Sequence, residues 1–162
     1  MTNNDLVRVV AALVCISACT SSKGNGPGDP TLRIDVSITM GTKGDRIADA
    51  APTVAYSGER LTATSSVATA DGNRFVVLLS STLATGTFDV GPSSPVQAGF
   101  SVPGATGTIF YDSGTFTATA VDWSPEGKVE GTFSGLHRPA DALGLAPESS
   151  AEGVVRILVP KS

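Results

Sequence analysis

Leu32-Arg33-Ile34-Asp35-Val36-Ser37-Ile38-Thr39-Met40 alternates without a break, every even position apolar and every odd position polar. Successive side chains of an extended backbone point to opposite sides, so this stretch is a strand with one buried face. The same pattern recurs downstream. Residues 52–56 and 60–64 flank Ser57-Gly58-Glu59, a turn with glycine at its centre, and read as a hairpin. Asp71-Gly72-Asn73 is a second turn, leading into Phe75-Val76-Val77-Leu78-Leu79, a continuous apolar run that suits a central strand covered on both faces. Further segments at 87–90, 98–102, 108–111, 115–121, 128–134 and 153–160 are each bounded by Gly, Pro, Ser or Asp. Helical spacing is nearly absent, with one short turn of helix expected at 140–145. About nine short strands rich in Thr and Val indicate an all-β fold, an antiparallel β-sandwich or a small β-barrel.

The 162 residues carry 18 Gly and 10 Pro, a combined share below the level that signals disorder. A net charge of -4 is too mild for an acidic tail and opposite in sign to a nucleic-acid footprint, so no nucleic-acid partner is expected. Collagen, coiled coil, multi-span membrane protein and basic DNA-binding module are excluded.

Ahead of the strands, Val9 to Ile16 form an apolar run. A bilayer span needs about 20 such residues, but the run suits the core of a secretory signal. Asp5 offsets Arg8, so the start is less positive than usual. Ile16-Ser17-Ala18-Cys19 resembles a bacterial lipobox, in which an aliphatic and two small residues precede a cysteine that is acylated and becomes the new N-terminus. Cys15 competes less well, because Val14 stands where a small residue is required. Residues 1–18 are then a lipoprotein signal peptide, Cys19 is the lipidation site, 19–30 are a flexible tether, and 31–162 are a single β-rich domain. With Cys19 lipidated, no cysteine remains for a disulfide, a zinc cluster or a thiol nucleophile. Thr20 and Ser21 follow Cys19 where an aspartate would resemble an inner-membrane retention signal, which makes the outer membrane the expected location.

A tripeptide recurs as Gly86-Thr87-Phe88, Gly114-Thr115-Phe116 and Gly131-Thr132-Phe133. The spacing is irregular, so this is no solenoid repeat. Either three strands share a local solution, with Thr outward and Phe in the core, or the segments build one binding surface.

Around these tripeptides the chain carries Tyr56-Ser57-Gly58, Gly86-Thr87-Phe88-Asp89-Val90, the run from Tyr111 through Ser113-Gly114-Thr115-Phe116 to Asp122, Lys128-Val129-Glu130-Gly131-Thr132-Phe133-Ser134, and Glu152-Gly153-Val154-Val155-Arg156-Ile157. This order resembles a family of small, uncharacterised bacterial lipoproteins with a β-rich domain of unknown function. The resemblance spans roughly residues 32–159 and is specific over 113–134. Gly153-Val154-Val155 departs from the family, which closes on a Gly-Phe strand. The resemblance implies the envelope location and the β fold; it brings no catalytic residue.

Little catalytic chemistry is legible. The single histidine, His137, precedes Arg138-Pro139 and reads as part of a solvated loop. No nucleophile elbow, zinc-protease helix, phosphate loop or dinucleotide fingerprint occurs. Asp112, Asp122, Glu126 and Glu130 cluster in sequence, yet glycoside hydrolysis needs two carboxylates facing one cleft, and turns attract acids for their own reasons. Asp71-Gly72-Asn73 lacks the further oxygen ligands of a calcium loop. Trp123 and Tyr111 are the candidate ligand or partner contacts. No metal or other cofactor is expected, and no enzymatic activity. The leading expectation is an envelope-anchored, non-enzymatic interaction or accessory module, held to the membrane by its lipid and meeting an envelope protein through loops or a sheet edge. The alternative is a lipoprotein binding a small molecule, glycan or lipid.

Overall fold

A computed structural model describes residues 32–104, 107–141 and 147–161. Eleven strands form, and no helix is present among the described residues. They are β1 (Arg33–Met40), β2 (Lys43–Asp49), β3 (Thr53–Tyr56), β4 (Arg60–Thr64), β5 (Arg74–Ser80), β6 (Gly86–Asp89), β7 (Val96–Ser101), β8 (Thr108–Phe110), β9 (Ser113–Val121), β10 (Lys128–Arg138) and β11 (Ser149–Leu158). A six-stranded sheet has the order β2-β1-β11-β10-β9-β6, and a five-stranded sheet the order β3-β4-β5-β7-β8. Every pairing within them is antiparallel. Neither sheet closes on itself, so of the two expected architectures the fold is the sandwich.

The alternation of β1 becomes its burial: Ile34, Val36 and Ile38 are inside, and Arg33, Asp35, Ser37 and Thr39 face outward. Opposing inner faces meet in one core, where Phe75 of β5 and Phe133 of β10 pack edge to face with centroids 5.9 Å apart. The hairpin of β3 and β4 forms in the expected place, Thr53 opposite Thr64 and Tyr56 opposite Leu61.

The structure departs from the sequence reading at three places. β2 was not foreseen, because its inward positions are Asp45, Ile47 and Asp49 and only one of them is apolar. The run Phe75 to Leu79 is central, and its covering is uneven: Phe75, Val77 and Leu79 point into the core, while on the outer side of the five-stranded sheet Val76 is only 5% exposed and Leu78 is half-buried. His137 lies on β10, beyond a register shift between Phe133 and Leu136, instead of in a loop. The helical turn expected at 140–145 falls mostly outside the described residues, as does everything before Leu32, including Cys19 and the tether.

Both flanks of the sandwich are laced together. The connection from β4 to β5 runs along the free edge of β2, where the Asp49 carboxylate accepts from Ser66 N at 2.5 Å and Ser66 Oγ at 2.9 Å, and Asp45 accepts from Ala70 N at 2.6 Å. On the opposite flank the chain crosses from β6 to β7 and forms a parallel bridge between Val90 and Val96. Covering β2 removes the longest edge at which another chain could add a strand.

Candidate functional site

The tripeptide echo acquires a geometry in the fold. β6, β9 and β10 are neighbours, and their register sets Phe88 opposite Phe116 and Phe116 opposite Phe133. The second and third of these rings pack with centroids 4.6 Å apart. The row one position along is Thr87, Thr117 and Thr132, on the outer face. Thr87 Oγ1 lies 3.2 Å from Thr117 Oγ1, and Thr115 Oγ1 lies 2.7 Å from Ser134 Oγ. The six-stranded sheet therefore presents a row of hydroxyls over an aromatic floor, the arrangement expected of half-buried antiparallel strands.

Beside this row the same face turns ionic. Asp35 is clasped by Arg46, with Nε at 2.8 Å and Nη2 at 2.9 Å, and by Arg33 on its own strand. The Arg46 hydrogen bonds, aided by Arg33 and opposed by partial burial, lower the Asp35 pKa from its ordinary 3.8 to about 2. Glu130 is held likewise by Arg156 at 2.9 Å and Lys128 at 2.9 Å, and its pKa is lowered, the Arg156 bond contributing most. Arg33 and Arg156 stand directly opposite each other across β1 and β11. Such a like-charge pair is tolerated because each guanidinium has a carboxylate of its own. These two clasps were invisible in the sequence. Asp35 and Arg46 meet only through the pairing of β1 with β2, and Glu130 and Arg156 only through that of β10 with β11.

Two depressions lie at the surface among the described residues. One cleft of about 270 Å³ has Ile38, Met40 and Ala70 as its floor and Lys43, Asp45 and Asp71 at its rim. Lys43 and Asp71 span it with an ion pair of 3.5 Å. A shallower depression of about 440 Å³ lies on the outer face over Gly153, between Thr132 and Arg46.

Of the two contacts expected from sequence, Trp123 is partly buried and engaged within the chain. Its ring stacks on Tyr56 with centroids 5.9 Å apart, and its Nε1 donates to Leu83 O at 2.9 Å. It joins the turn after β9 to the edge strand of the other sheet. Tyr111 is fully buried, edge-on to Phe100 at 6.0 Å, where burial pushes its phenol above the ordinary range. Its hydroxyl finds no hydrogen-bond partner among the described residues, and its ring offers no surface to an outside molecule.

The acids considered for catalysis do not converge on one cleft. Asp122 accepts from Ser124 Oγ at 2.6 Å and Ser124 N at 3.0 Å within its own turn, which lowers its pKa. Glu126, at a positive φ of 63°, pairs with Lys161 at 3.0 Å. His137 Nε2 lies 2.9 Å from Glu148 Oε1 on the surface. Gly72 and Asn73 close the 69–73 turn onto Thr69, and the Asn73 amide donates to Met40 Sδ at 3.3 Å. Among the described residues no three of His, Cys, Asp and Glu stand close enough to hold a metal ion.

No family model, curated protein or solved structure matches this chain.

Proposed function

We propose that the protein is an envelope-anchored, non-enzymatic interaction module, acylated at Cys19 and held at the outer membrane, whose sandwich offers the outer face of its six-stranded sheet to an envelope protein. The observation that carries this reading is the filled interior. Phe75, Phe116, Phe133 and Tyr111 occupy the space between the sheets that a lipid- or ligand-carrying β protein keeps open. The outer face, in contrast, is exposed and rich in hydrogen-bonding groups. Docking by strand addition is the less favourable mode, since β3, β6 and β8 are short edges and β2 is covered. The lipobox at Ile16 to Cys19 and the resemblance to small β-rich lipoproteins support the location.

The second reading, a small-molecule, glycan or lipid binder, has one observation in its favour, the cleft over Ile38 and Met40. Its volume of about 270 Å³ falls just short of the range of about 300–1,000 Å³ that holds drug-sized ligands.

The test is crosslinking in cells with a photoreactive residue at Thr117, in the wild-type background and beside Cys19→Ser, read by mass spectrometry. One stoichiometric protein attached at Thr117 and lost with the anchor is the expected outcome. Recovery of only lipid, glycan or bulk envelope proteins would overturn the interaction-module reading. A Cys19→Ser chain that stays membrane-bound with unchanged mass would overturn the anchor.

A further inference from the structure

The strands of the two sheets differ in the charges they carry. Asp35, Asp45, Asp49, Asp89, Glu130 and Glu152 lie on strands of the six-stranded sheet, balanced by six arginines and lysines on the same strands. The strands of the five-stranded sheet carry no aspartate, glutamate or lysine, and their charges are Arg60 and Arg74 alone. Both arginines are exposed, they stand on different strands, and neither is in an ion pair among the described residues. Arg33, Arg46 and Arg156 on the other sheet are each held by a carboxylate.

The polarity of the outer faces differs as well. A solvated antiparallel sheet alternates apolar inside and polar outside, as β1, β9 and β10 do. β5 breaks the rule in composition: on its outer side stand Val76, only 5% exposed, and half-buried Leu78, and the register continues this largely covered apolar strip through buried Gly99 of β7 to half-buried Phe110 of β8. Ala55 of β3 is exposed on the same side, and Thr62 and Thr64 of β4 lie between. Glu59 in the β3–β4 turn and Asp71 in the β4–β5 connection border this face without standing on it.

We propose that the outer face of the five-stranded sheet rests on an anionic lipid surface, through Arg60, Arg74 and the half-buried Leu78 between them. This rests on the lipid-anchor reading of Cys19 and adds an orientation to it. Charge complementarity favours this occupant, since anionic headgroups attract a face whose strand charges are two exposed arginines, whereas acids and bases balance on the strands of the other sheet. Each arginine near such a surface strengthens attachment about five-fold. Chain length allows it, because residues 20–31 reach at most about 40 Å from the lipidated cysteine, enough to lay the face flat but too short to let the domain drift far away. A second copy fits less well: the face of five short strands offers roughly 400 Å² a side, against the ~800 Å² of a stable interface. With this face down, the hydroxyl and ion-pair face of the other sheet points away from the membrane, where an envelope partner can reach it.

The test uses the full chain, processed and lipidated in cells, carrying a single added cysteine for an environment-sensitive fluorophore at Thr62→Cys or Thr117→Cys. The protein is reconstituted into vesicles of phosphatidylcholine alone or with phosphatidylglycerol, and quenching by a neutral aqueous quencher is measured. The expected result is several-fold weaker quenching at position 62 in the anionic vesicles only, no protection at position 117, and loss of the protection in Arg60→Glu/Arg74→Glu, whose exposed side chains leave the core intact. Equal quenching at the two positions, protection unchanged by the charge reversal, or protection at position 117 instead would overturn the orientation. Protection at 62 in vesicle-free protein that disappears on dilution would assign the face to a second copy and overturn it too. Failure of the wild-type chain to float with neutral vesicles, together with an unacylated mass, would be the distinct failure of the anchor reading, and the orientation would fall with it.

Discussion

The ring of Phe116 occupies the place where a side chain on Gly131 would begin. An added Cβ would stand 2.4 Å from Phe116 Cζ and 2.6 Å from Thr117 O. Phe116 is fully buried between Phe88 and Phe133 in the aromatic row and has nowhere to retreat. Gly131→Ala is therefore expected to cost about 1–3 kcal/mol, the usual range for overpacking, as a lower urea midpoint with unchanged slope. A substitution at Gly153 is more severe. There an added Cβ would meet Asp35 O at 2.2 Å and Val36 Cα at 2.6 Å, backbone atoms of β1 that move only if the pairing of β1 with β11 opens. Trp123 tests a different residue-scale claim, that its indole serves the fold. Trp123→Phe keeps an aromatic ring over Tyr56 but leaves Leu83 O without its donor, and is expected to lower unfolding free energy by about 1 kcal/mol. A stability unchanged within error would return Trp123 to the role of an external contact.

Among the elements, β2 depends most on a neighbour that is not a strand. Its two inward aspartates face the 65–71 segment and bind its amides. At Asp49 burial opposes the charge, yet donation from Ala51 N and Ser66 N outweighs it and keeps the carboxyl below its ordinary value. Asp49→Ala would orphan those donors and release the segment from the edge. Expected are a loss of about 1–3 kcal/mol, faster hydrogen exchange at the Ser66 amide with slower change in β9 and β10, and a new tendency to self-associate through the uncovered β2. Unchanged exchange at Ser66 would show that the segment is held by packing alone.

For the molecule as a whole, the depressed carboxylates determine how stability responds to acid. A group whose pKa is lowered in the folded state stabilises the fold above its unfolded pKa, and loses that contribution as pH falls through the folded value. Asp35 moves from 3.8 to about 2, so its share is full above about pH 4 and fades between there and pH 2. That share amounts to about 2 kcal/mol at most. Asp35→Asn should lower stability at neutral pH and flatten the acid limb of the stability curve in that window, measured by urea unfolding at a series of pH values. A parallel downward shift at every pH would mean that the clasp by Arg46 and Arg33 contributes nothing electrostatic. How much of this molecule was legible beforehand follows the range of the interactions concerned. The inward parity of Ile34, Val36 and Ile38, the hairpin turn at Gly58 and the all-β class came from the amino-acid order alone, because an extended backbone imposes its period of two whatever surrounds it. The existence of β2 was hidden, since an edge strand held by aspartates lacks the apolar signature of burial. The double covering expected of Phe75 to Leu79 holds at Val76 and lapses at half-buried Leu78, because a run of apolar residues reports low polarity and cannot say what lies above each face. The Asp35–Arg46 and Glu130–Arg156 clasps, the single row made by three distant Gly-Thr-Phe segments and the carboxylate-free second sheet emerged only on folding. Each depends on strand order and register, which are settled by how two whole faces pack against each other and are written in no local stretch of chain.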